Sequence, residues 1–395
     1  MNRLSELHDA GVSIWLDTLS RHLLTSGAFQ TLIDQDCVTG ATSNPTIFAA
    51  AIRGADGYTD QLRTRLADGE RDPEALFLDL ALNDVAHAAD LLHPTFDASA
   101  GRDGFVSFEC TPDLADDTTA TIEQARMLWA RLDRPNVMIK VPATAAGLPA
   151  IEQLTADGIN VNITLLFARS RYEQVIDAYH AGLEQRLADG RPIDSLASVA
   201  SFFVSRIDTK IDAQLPTDSP LHGRIAIANA KLAYQLFERH HSTERWQRLI
   251  AKGAHPQRPL WASSGTKNPS YSDVLYVEEL IGPDVVNTMP DQTLRAFADH
   301  GRVSRSVDAD VSQAEQLLAQ LTTEGVGLDG IAAALEREGV ESFCRAYQQL
   351  LDCIVERAHD LGVELDQPGH QPDGLGQHQV DPPSRRPGPR PTLNG

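Results

Sequence analysis

Lys140 interrupts an apolar run, VMIKVP from Val137, that otherwise has the composition of a buried β-strand. A charged lysine is costly to bury, so a lysine in such a strand needs an explanation. Burial favours the neutral amine, which can attack a carbonyl and form a Schiff base. The protonated imine then acts as an electron sink for cleavage of the neighbouring carbon–carbon bond. The residue and its surroundings therefore indicate Schiff-base chemistry, which also needs proton-transfer groups.

Two carboxylates occupy comparable positions in other apolar runs. Asp17 follows the run SIWL, and Glu109 ends the run FVSFE. Either carboxylate could move protons to and from carbinolamine and hydroxyl oxygens, directly or through one water. One such residue alone would most often be structural, for example in a buried salt bridge. Three ionisable residues that converge on one pocket favour catalysis.

The elements that would position these residues alternate along the chain. Eight short β-prone runs are separated by longer amphipathic patterns, and they begin at Ser13, Gly40, Phe105, Asn136, Asn160, Ala197, Pro259 and Val285. This alternation predicts an α/β fold, a (β/α)8 TIM barrel with extra helices, as a single domain over residues 1–365. The chemistry of such a barrel lies at the carboxyl ends of its strands, where the lysine and both carboxylates are predicted to meet.

Several helices are predicted outside this simple alternation. The segment 46–102 is too long for one crossover, and residues 1–12 are predicted to form a helix over the bottom or side of the barrel. A strongly amphipathic helix begins at about Glu341 and is expected to pack across the barrel mouth. The Pro- and Gly-rich segment 366–395 has the composition of a disordered tail.

The remaining strand ends carry amides, hydroxyls and two cations. These candidate site residues are Asn44, Asn162, Thr164, Ser201, Arg206, Ser263 and Lys267. A guanidinium, a hydroxyl and an ammonium near strands six and seven suit a phosphate dianion. The alternative for Arg206 is a salt bridge to Asp208 or Asp212, which spacing alone leaves equally open.

Composition excludes several other classes of function. The formal net charge of −21 argues against nonspecific binding to nucleic acid or to an anionic membrane. No apolar stretch reaches transmembrane length, and the first residues do not form a signal peptide. The four cysteines lack C-x-x-C spacing, which favours a reducing, cytoplasmic setting. The scattered histidines, including the pair in RHHS from Arg239, are interpreted as solvated surface. Schiff-base chemistry needs no metal, and the sequence has no H-x-x-H, H-E-x-x-H or Cys/His cluster, so we predict no metal and no cofactor.

The order of the strand motifs resembles one enzyme family. The runs GATSNPTIF and VMIKVPAT look like the two signatures of the transaldolases, and NVNITLLF, SFFVSRID and WASSGTKNP are similar to the later strand motifs of that family. The resemblance covers residues 10–362. The length and the lysine of the last motif resemble the longer bacterial branch found in actinobacteria and cyanobacteria.

The resemblance implies a barrel of the class I Schiff-base aldolase type and a transferase of the pentose phosphate pathway. Such an enzyme moves a dihydroxyacetone unit from sedoheptulose 7-phosphate to glyceraldehyde 3-phosphate. Carried onto this chain, Lys140 is the nucleophile, Glu109 shuttles protons through a water held by Thr164, and Asp17 handles the proton of the C4 hydroxyl. The implied substrate contacts come from Asn44, Asn162, Ser201, Phe203, Arg206, Ser263 and Lys267.

The chain departs from the better-known branch of this family at two places. Phe202 stands where that branch has proline, and Lys267 stands where it has arginine. Related enzymes are monomers or homodimers. The alternatives are a fructose-6-phosphate aldolase or another class I aldolase, and a non-catalytic sugar-phosphate-binding barrel. The presence of Asp17, Glu109 and Lys140 together argues against the non-catalytic barrel.

Overall fold

A computed structural model describes residues 2–54 and 56–366, and its centre is a closed barrel of eight parallel strands. The strands pair in chain order, and the first pairs with the last. They are β1 Val12–Leu16, β2 Val38–Thr42, β3 Phe105–Glu109, β4 Val137–Pro142, β5 Val161–Leu166, β6 Ser198–Phe203, β7 Gln257–Ala262 and β8 Val285–Met289. The (β/α)8 TIM barrel predicted from the alternation is therefore confirmed. Every strand overlaps a predicted run, but β1, β2 and β7 begin one or two residues before it.

Helices surround the barrel. They are α1 Arg3–Asp9, α2 Arg21–Thr25, α3 Ala28–Asp36, α4 Pro45–Gly54, α5 Thr59–Ala67, α6 Pro73–Ala98, α7 Thr118–Leu132, α8 Gly147–Asp157, α9 Arg169–Ala188, α10 Ser205–Asp212, α11 Ile225–His241, α12 Glu244–Ile250, α13 Leu275–Glu278, α14 Asp291–His300, α15 Val311–Thr323 and α16 Leu328–Asp360. Short 3₁₀ turns lie at Asp56–Tyr58 and Pro112–Leu114. The long connection between β2 and β3 contains α4, α5 and α6, as its length predicted.

Local sequence explains where the helices begin and end. At the start of α7 the carboxylate of Asp117 accepts the backbone N–H of Ala120 at 3.0 Å, which satisfies one free amide of the first turn. After α9 the chain passes through Gly190 with φ of +72°, the left-handed conformation that ends many helices. The strands are buried on both faces by neighbouring helices and barrel interior, which is why they are near-continuous apolar runs.

Buried polar side chains fill the amino-terminal end of the barrel. The indole N–H of Trp15 donates to Asp103 at 2.9 Å, and Arg258 donates to the hydroxyl of Ser13 at 2.6 Å. Arg258 and Asp103 also lie 3.6 Å apart as an ion pair. All four side chains are buried. This network closes the bottom of the barrel and leaves the opposite end for ligands.

Helix α1 lies beside the amino-terminal end of the barrel. It packs against β1 and α14, and the side chain of Asn2 donates to the carbonyl of Gln35 at 3.0 Å, just before β2. Gly11 then joins α1 to β1 with φ of +95°, and a Cβ there would come within 2.8 Å of Pro283 Cα. The predicted placement at the bottom or side is confirmed.

Helix α16 crosses the carboxyl end of the barrel, as predicted, but it begins at Leu328 rather than at about Glu341. It packs against α4, α6 and α10. Gly339 allows a close approach, because a Cβ at that position would lie 2.7 Å from a methyl of Leu165. Leu165 has φ of +59°, a conformation that costs a branched residue energy and that occurs where the pairing of β5 with β6 is irregular.

The predicted end of strand six is also wrong. The run SFFVSRID was interpreted as extended to its end, yet β6 ends at Phe203 and α10 begins at Ser205. Arg206 therefore lies in the first turn of a helix, not in strand six. Ile207 and Ile211 are four residues apart and both are buried, which is the periodicity of a helix face.

Three further expectations concern the tail, the absence of a membrane-spanning segment and the histidines. The predicted tail, 366–395, lies outside the described residues except for Asp366. Within residues 2–54 and 56–366, no helix combines the length and the apolar character needed to cross a bilayer. The interpretation of all histidines as surface residues is wrong, because His180 is only 1% exposed.

Candidate active site

Lys140 lies in the middle of β4 with 6% of its surface exposed, between Ile139 and Val141, which are fully buried. Its Nζ donates to the backbone carbonyl oxygen of Ser43 at 3.2 Å. Ser43 follows β2, two strands away around the barrel, so the lysine side chain reaches across the interior. An amine in this position is fixed by the barrel wall and shielded from bulk water.

Glu109 lies beside this amine. It pairs with Lys140 in the register of β3 and β4, and its Oε2 is 3.7 Å from Nζ. This distance allows an ion pair but exceeds hydrogen-bond range, and Oε2 has no hydrogen-bond partner among the described residues. Burial raises the pKa of Glu109, the charge of Lys140 opposes the rise, and the carboxylate of Asp17 adds to it. A carboxyl group with a raised pKa can exchange protons closer to neutral pH.

Asp17 directly follows β1. Its backbone N–H donates to the carbonyl of Met289 at 2.8 Å, and its Oδ1 accepts the hydroxyl of Thr42 at 2.8 Å. The Thr42 hydroxyl also lies 2.7 Å from that of Thr288. Burial raises the pKa of Asp17, while the Thr42 hydrogen bond and the charge of Lys140 act in the opposite direction.

Asn162 and Ser201 form a buried polar chain on the wall next to Lys140. Asn162 pairs with Lys140 in the register of β4 and β5. Its amide donates to Ser107 Oγ at 2.9 Å, and its Oδ1 accepts the Ser201 hydroxyl at 2.7 Å. These bonds fix the side chain and use one of its two amide N–H groups, so the other can donate to another acceptor.

Thr164 and Asn44 complete the polar wall. Thr164 is fully buried on β5, and its hydroxyl has no hydrogen-bond partner among the residues described. Asn44 precedes α4, and its Oδ1 accepts the backbone N–H of Ile47 at 3.1 Å as a helix cap. The cap fixes the Asn44 side chain and leaves its amide donors available.

A cavity of about 400 Å³ opens at the carboxyl end of the barrel. Five predicted site residues line it, namely Asp17, Asn44, Arg206, Ser263 and Lys267. Ser342 and Phe343 of α16 line it from above. A smaller cavity shares Asn44 with it and is lined by Glu109. The structure therefore brings the predicted residues to one end of the barrel, with Lys140, Asn162, Thr164 and Ser201 in the buried strands.

Arg206 is available as an anion-binding group. Its guanidinium lies 5.1 Å from the ring centroid of Phe203, which supports it by a cation–π contact. The alternative salt bridge is absent from the described part of the chain, because no carboxylate lies within ion-pair distance of Arg206. Asp208 instead accepts the N–H of Ala226 and the hydroxyl of Tyr276. Burial lowers the pKa of Arg206, but a guanidinium stays charged at neutral pH.

Ser263 and Lys267 approach the same cavity from the loop after β7. Ser263 has φ of +57°, and its hydroxyl is 3.2 Å from that of Ser205. Lys267 is exposed and has no ion-pair partner in the described residues. The loop is tied to α10, since the hydroxyl of Tyr271 donates to Asp212 at 2.6 Å. A hydroxyl and two cations, one exposed and one half-buried, thus face a space large enough for a phosphate group.

We expect Arg206→Met to raise KM for a phosphorylated acceptor by about 100-fold, because a charge-assisted contact to phosphate contributes about 1.5–3 kcal/mol. Steady-state kinetics with glyceraldehyde 3-phosphate, the acceptor that the resemblance implies, and with unphosphorylated glyceraldehyde measure this effect. The loss should be confined to the phosphorylated acceptor. Arg171→Met is the control, since Arg171 is half-buried and paired to Glu336 at 3.6 Å outside the cavity. Equal losses with both acceptors would contradict a phosphate-binding role.

Sequence reasoning missed several residues of this site. Thr42 and Ser43 were visible at the end of strand two, but their partners across the barrel were not. Ser107 lies two residues before Glu109, so the alternation of a strand could have placed both on one face. Ser342 and Phe343 carried no signal, because they reach the cavity only through the packing of α16.

Comparison with known proteins gives one consistent result. A family model described as Transaldolase/Fructose-6-phosphate aldolase matches residues 14–354. A transaldolase of Parafrankia sp. (strain EAN1pec) is 50% identical over 360 residues, which cover 90% of this chain and 97% of that protein. A transaldolase of Frankia alni is 48% identical over 369 residues, covering 92% and 99%. A transaldolase of Acidothermus cellulolyticus is 49% identical over 363 residues, covering 90% and 97%.

Proposed function

The chain belongs to the transaldolase/fructose-6-phosphate aldolase family, and on that premise we propose that it is a transaldolase acting on sugar phosphates. It transfers a dihydroxyacetone unit from sedoheptulose 7-phosphate to glyceraldehyde 3-phosphate, giving erythrose 4-phosphate and fructose 6-phosphate. One observation carries the assignment of the reacting groups. The buried amine of Lys140 lies 3.7 Å from a carboxylate oxygen of Glu109.

The first step of the proposed reaction joins donor and enzyme. Lys140 gives a proton to Glu109, its amine attacks the C2 carbonyl, and the carbinolamine loses water to give a protonated imine. Glu109 supplies the proton that converts the departing hydroxyl into water, through a bridging water held by Thr164. Two observations support this route: Oε2 of Glu109 and the hydroxyl of Thr164 are buried, and neither has a hydrogen-bond partner in the described chain.

The second step cleaves the donor. Asp17 accepts the proton of the C4 hydroxyl, the C3–C4 bond breaks, and its electron pair moves into the imine to form an enamine. Erythrose 4-phosphate leaves as the aldehyde. The raised pKa of Asp17 favours such a proton transfer, and Thr42 holds the carboxylate in place.

The third step runs the same chemistry towards the acceptor. The enamine carbon attacks the aldehyde of glyceraldehyde 3-phosphate, Asp17 returns the proton to the new hydroxyl, and water releases fructose 6-phosphate from Lys140.

We assign Asn44, Asn162 and Ser201 to the hydroxyls of the donor unit, with Phe203 shaping the pocket wall. We assign Arg206, Ser263 and Lys267 to the phosphate, since they share one cavity.

The test has two parts. Borohydride reduction in the presence of fructose 6-phosphate should add the mass of a reduced dihydroxyacetone adduct to the peptide that contains Lys140. Incubation with fructose 6-phosphate and erythrose 4-phosphate should form sedoheptulose 7-phosphate and glyceraldehyde 3-phosphate. A coupled enzyme assay that detects glyceraldehyde 3-phosphate measures this transfer.

Each failure has a separate meaning. Absence of a trapped adduct would remove the Schiff-base mechanism. A trapped adduct with release of free dihydroxyacetone, and no transfer, would identify a fructose-6-phosphate aldolase instead. The same trapping experiment rejects the non-catalytic barrel if it succeeds.

We further propose that the enzyme works in the cytoplasm as a monomer or homodimer, needs no cofactor, and consists of one domain over residues 1–365. All four cysteines are unpaired, which suits a reducing compartment. Sedimentation at several protein concentrations measures the assembly state.

A further inference from the structure

Three potential metal ligands meet in the helical layer outside the barrel. Asp177 and His180 lie on α9, and His240 lies near the end of α11. One ligand atom from each side chain can be chosen so that all three lie within 4.8 Å of one another. In the described chain, none of these residues lines the catalytic cavity.

His180 is the unusual member of this cluster. It is 1% exposed, and neither of its ring nitrogens has a hydrogen-bond partner among the described residues. A buried polar group left without a partner costs about 1–3 kcal/mol, so such groups need an explanation. The ring stacks on Trp246 of α12 at 5.0 Å, which fixes its plane but satisfies neither nitrogen.

The backbone arranges the ligands as a metal site requires. Asp177 and His180 are three residues apart, so both side chains leave the same face of α9. His240 comes from the neighbouring helix, and its ring centroid is 6.3 Å from that of His180. Donor atoms around a tetrahedral Zn²⁺ lie about 3.3 Å apart, given bond lengths near 2.0–2.2 Å. Side-chain rotations that move the atoms by about 1 Å would close the set around an ion.

We propose that Asp177, His180 and His240 bind a divalent transition-metal ion, and that the ion is Zn²⁺. Two imidazoles and one carboxylate suit zinc, whereas Mg²⁺ and Ca²⁺ prefer oxygen ligands alone. Glu173 lies one helical turn before Asp177, with Oε1 3.6 Å from His240 Nε2. It either supplies the fourth ligand or orients His240, and a water takes the fourth position in the second case.

One neighbouring charge opposes the ion. Arg245 of α12 lies 2.9 Å from one oxygen of Asp177, and its charge repels a cation. The same guanidinium donates to both oxygens of Glu184 at 2.9 and 2.8 Å, so its charge is largely compensated there. The second oxygen of Asp177 remains to bind metal. Zn²⁺ binding here would overturn our sequence-based prediction that the chain binds no metal.

The role that follows is structural. The ion would join α9 to α11 and give the buried nitrogens of His180 a partner. A ligand that binds the folded chain alone stabilises it, so Zn²⁺ should raise the melting temperature without being needed for turnover.

The test uses the full chain stripped with a chelator and dialysed. Isothermal titration with ZnCl₂ should show one tight equivalent, and Co²⁺ should give the intense visible absorption of a tetrahedral N/O site. His240→Asn should weaken Zn²⁺ binding at least tenfold, abolish that absorption and remove the rise in melting temperature. His93→Asn is the matched control, because His93 is a half-exposed histidine 3.7 Å from Asp97 on α6. It should behave like the parent.

Asp177→Asn is the second variant, since its exposed side chain can be changed without disturbing the core. It should also weaken Zn²⁺ binding while the metal-free variant melts like the metal-free parent. Unchanged affinity in both variants would place any bound zinc elsewhere on the chain and overturn the proposal. No tight equivalent in the parent would overturn it as well.

Discussion

Lys140→Met is expected to abolish borohydride trapping and to lower kcat by about 10⁴-fold or more, the scale on which loss of a catalytic nucleophile acts. Methionine has similar length and fills the space between Ile139 and Val141, both fully buried, so the barrel should remain folded. Glu109 loses its cationic neighbour and becomes protonated more readily, which avoids an unpaired buried charge. Mass spectrometry after reduction, transfer kinetics and thermal melting measure the three effects.

Lys231→Met is the matched control for this variant. Lys231 is buried to nearly the same extent, with 7% of its surface exposed, but it lies on α11 and pairs with Glu279 at 3.4 Å outside the barrel. Trapping and turnover should be retained in the control. If Lys140→Met still formed the adduct, another lysine would be the nucleophile. If it failed to fold, the role of Lys140 would be structural.

Glu109→Gln should give the second largest effect, a decrease in kcat of about 10²–10⁴-fold, because a positioned proton donor is lost. The amide keeps the size of the side chain, and the adduct on Lys140 should still form, more slowly. Burial raises the pKa of Glu109, so in the parent its deprotonation occurs at higher pH than for an ordinary glutamate. The corresponding step in the pH profile of kcat should be displaced upward in the parent and missing in the variant.

Glu336→Gln tests whether that step belongs to Glu109. Glu336 on α16 also has a pKa raised by burial, and it pairs with Arg171 away from the cavity. Its replacement should leave kcat and the pH profile as they are in the parent. A Glu109→Gln rate within tenfold of the parent would assign the proton transfer to another group, and Asp17→Asn would then be the variant to measure.

The strands and the ionisable site residues could be predicted because of how a parallel barrel is buried. Its strands are covered on both faces, so each is an apolar run in which a single charged residue is conspicuous. Asp17, Glu109 and Lys140 were found in this way, and the rule that chemistry lies at the carboxyl ends of strands brought them together. Lys140 and Glu109 lie side by side because β3 and β4 are neighbouring strands in which the two residues are paired.

Other parts of the site depend on contacts that a local pattern does not contain. The aromatic and apolar residues before Arg206 favour an extended segment, and only the burial of Ile207 and Ile211 on one face shows that a helix has begun. The hydroxyl pair of Thr42 and Thr288 joins β2 to β8 across the barrel interior. His180 was missed because its spacing on α9 does not reveal that α11 and α12 bury it.

The pairing of β1 with β8 has a consequence for how the protein folds during its synthesis. The N–H of Asp17 donates to the carbonyl of Met289, so the first residue of the proposed catalytic set in chain order is positioned by the last barrel strand to leave the ribosome. Until β8 emerges, β1 keeps a free edge that can pair with another nascent chain. Activity should therefore arise in one late event during translation, and the interval before it is when the chain most needs protection from aggregation.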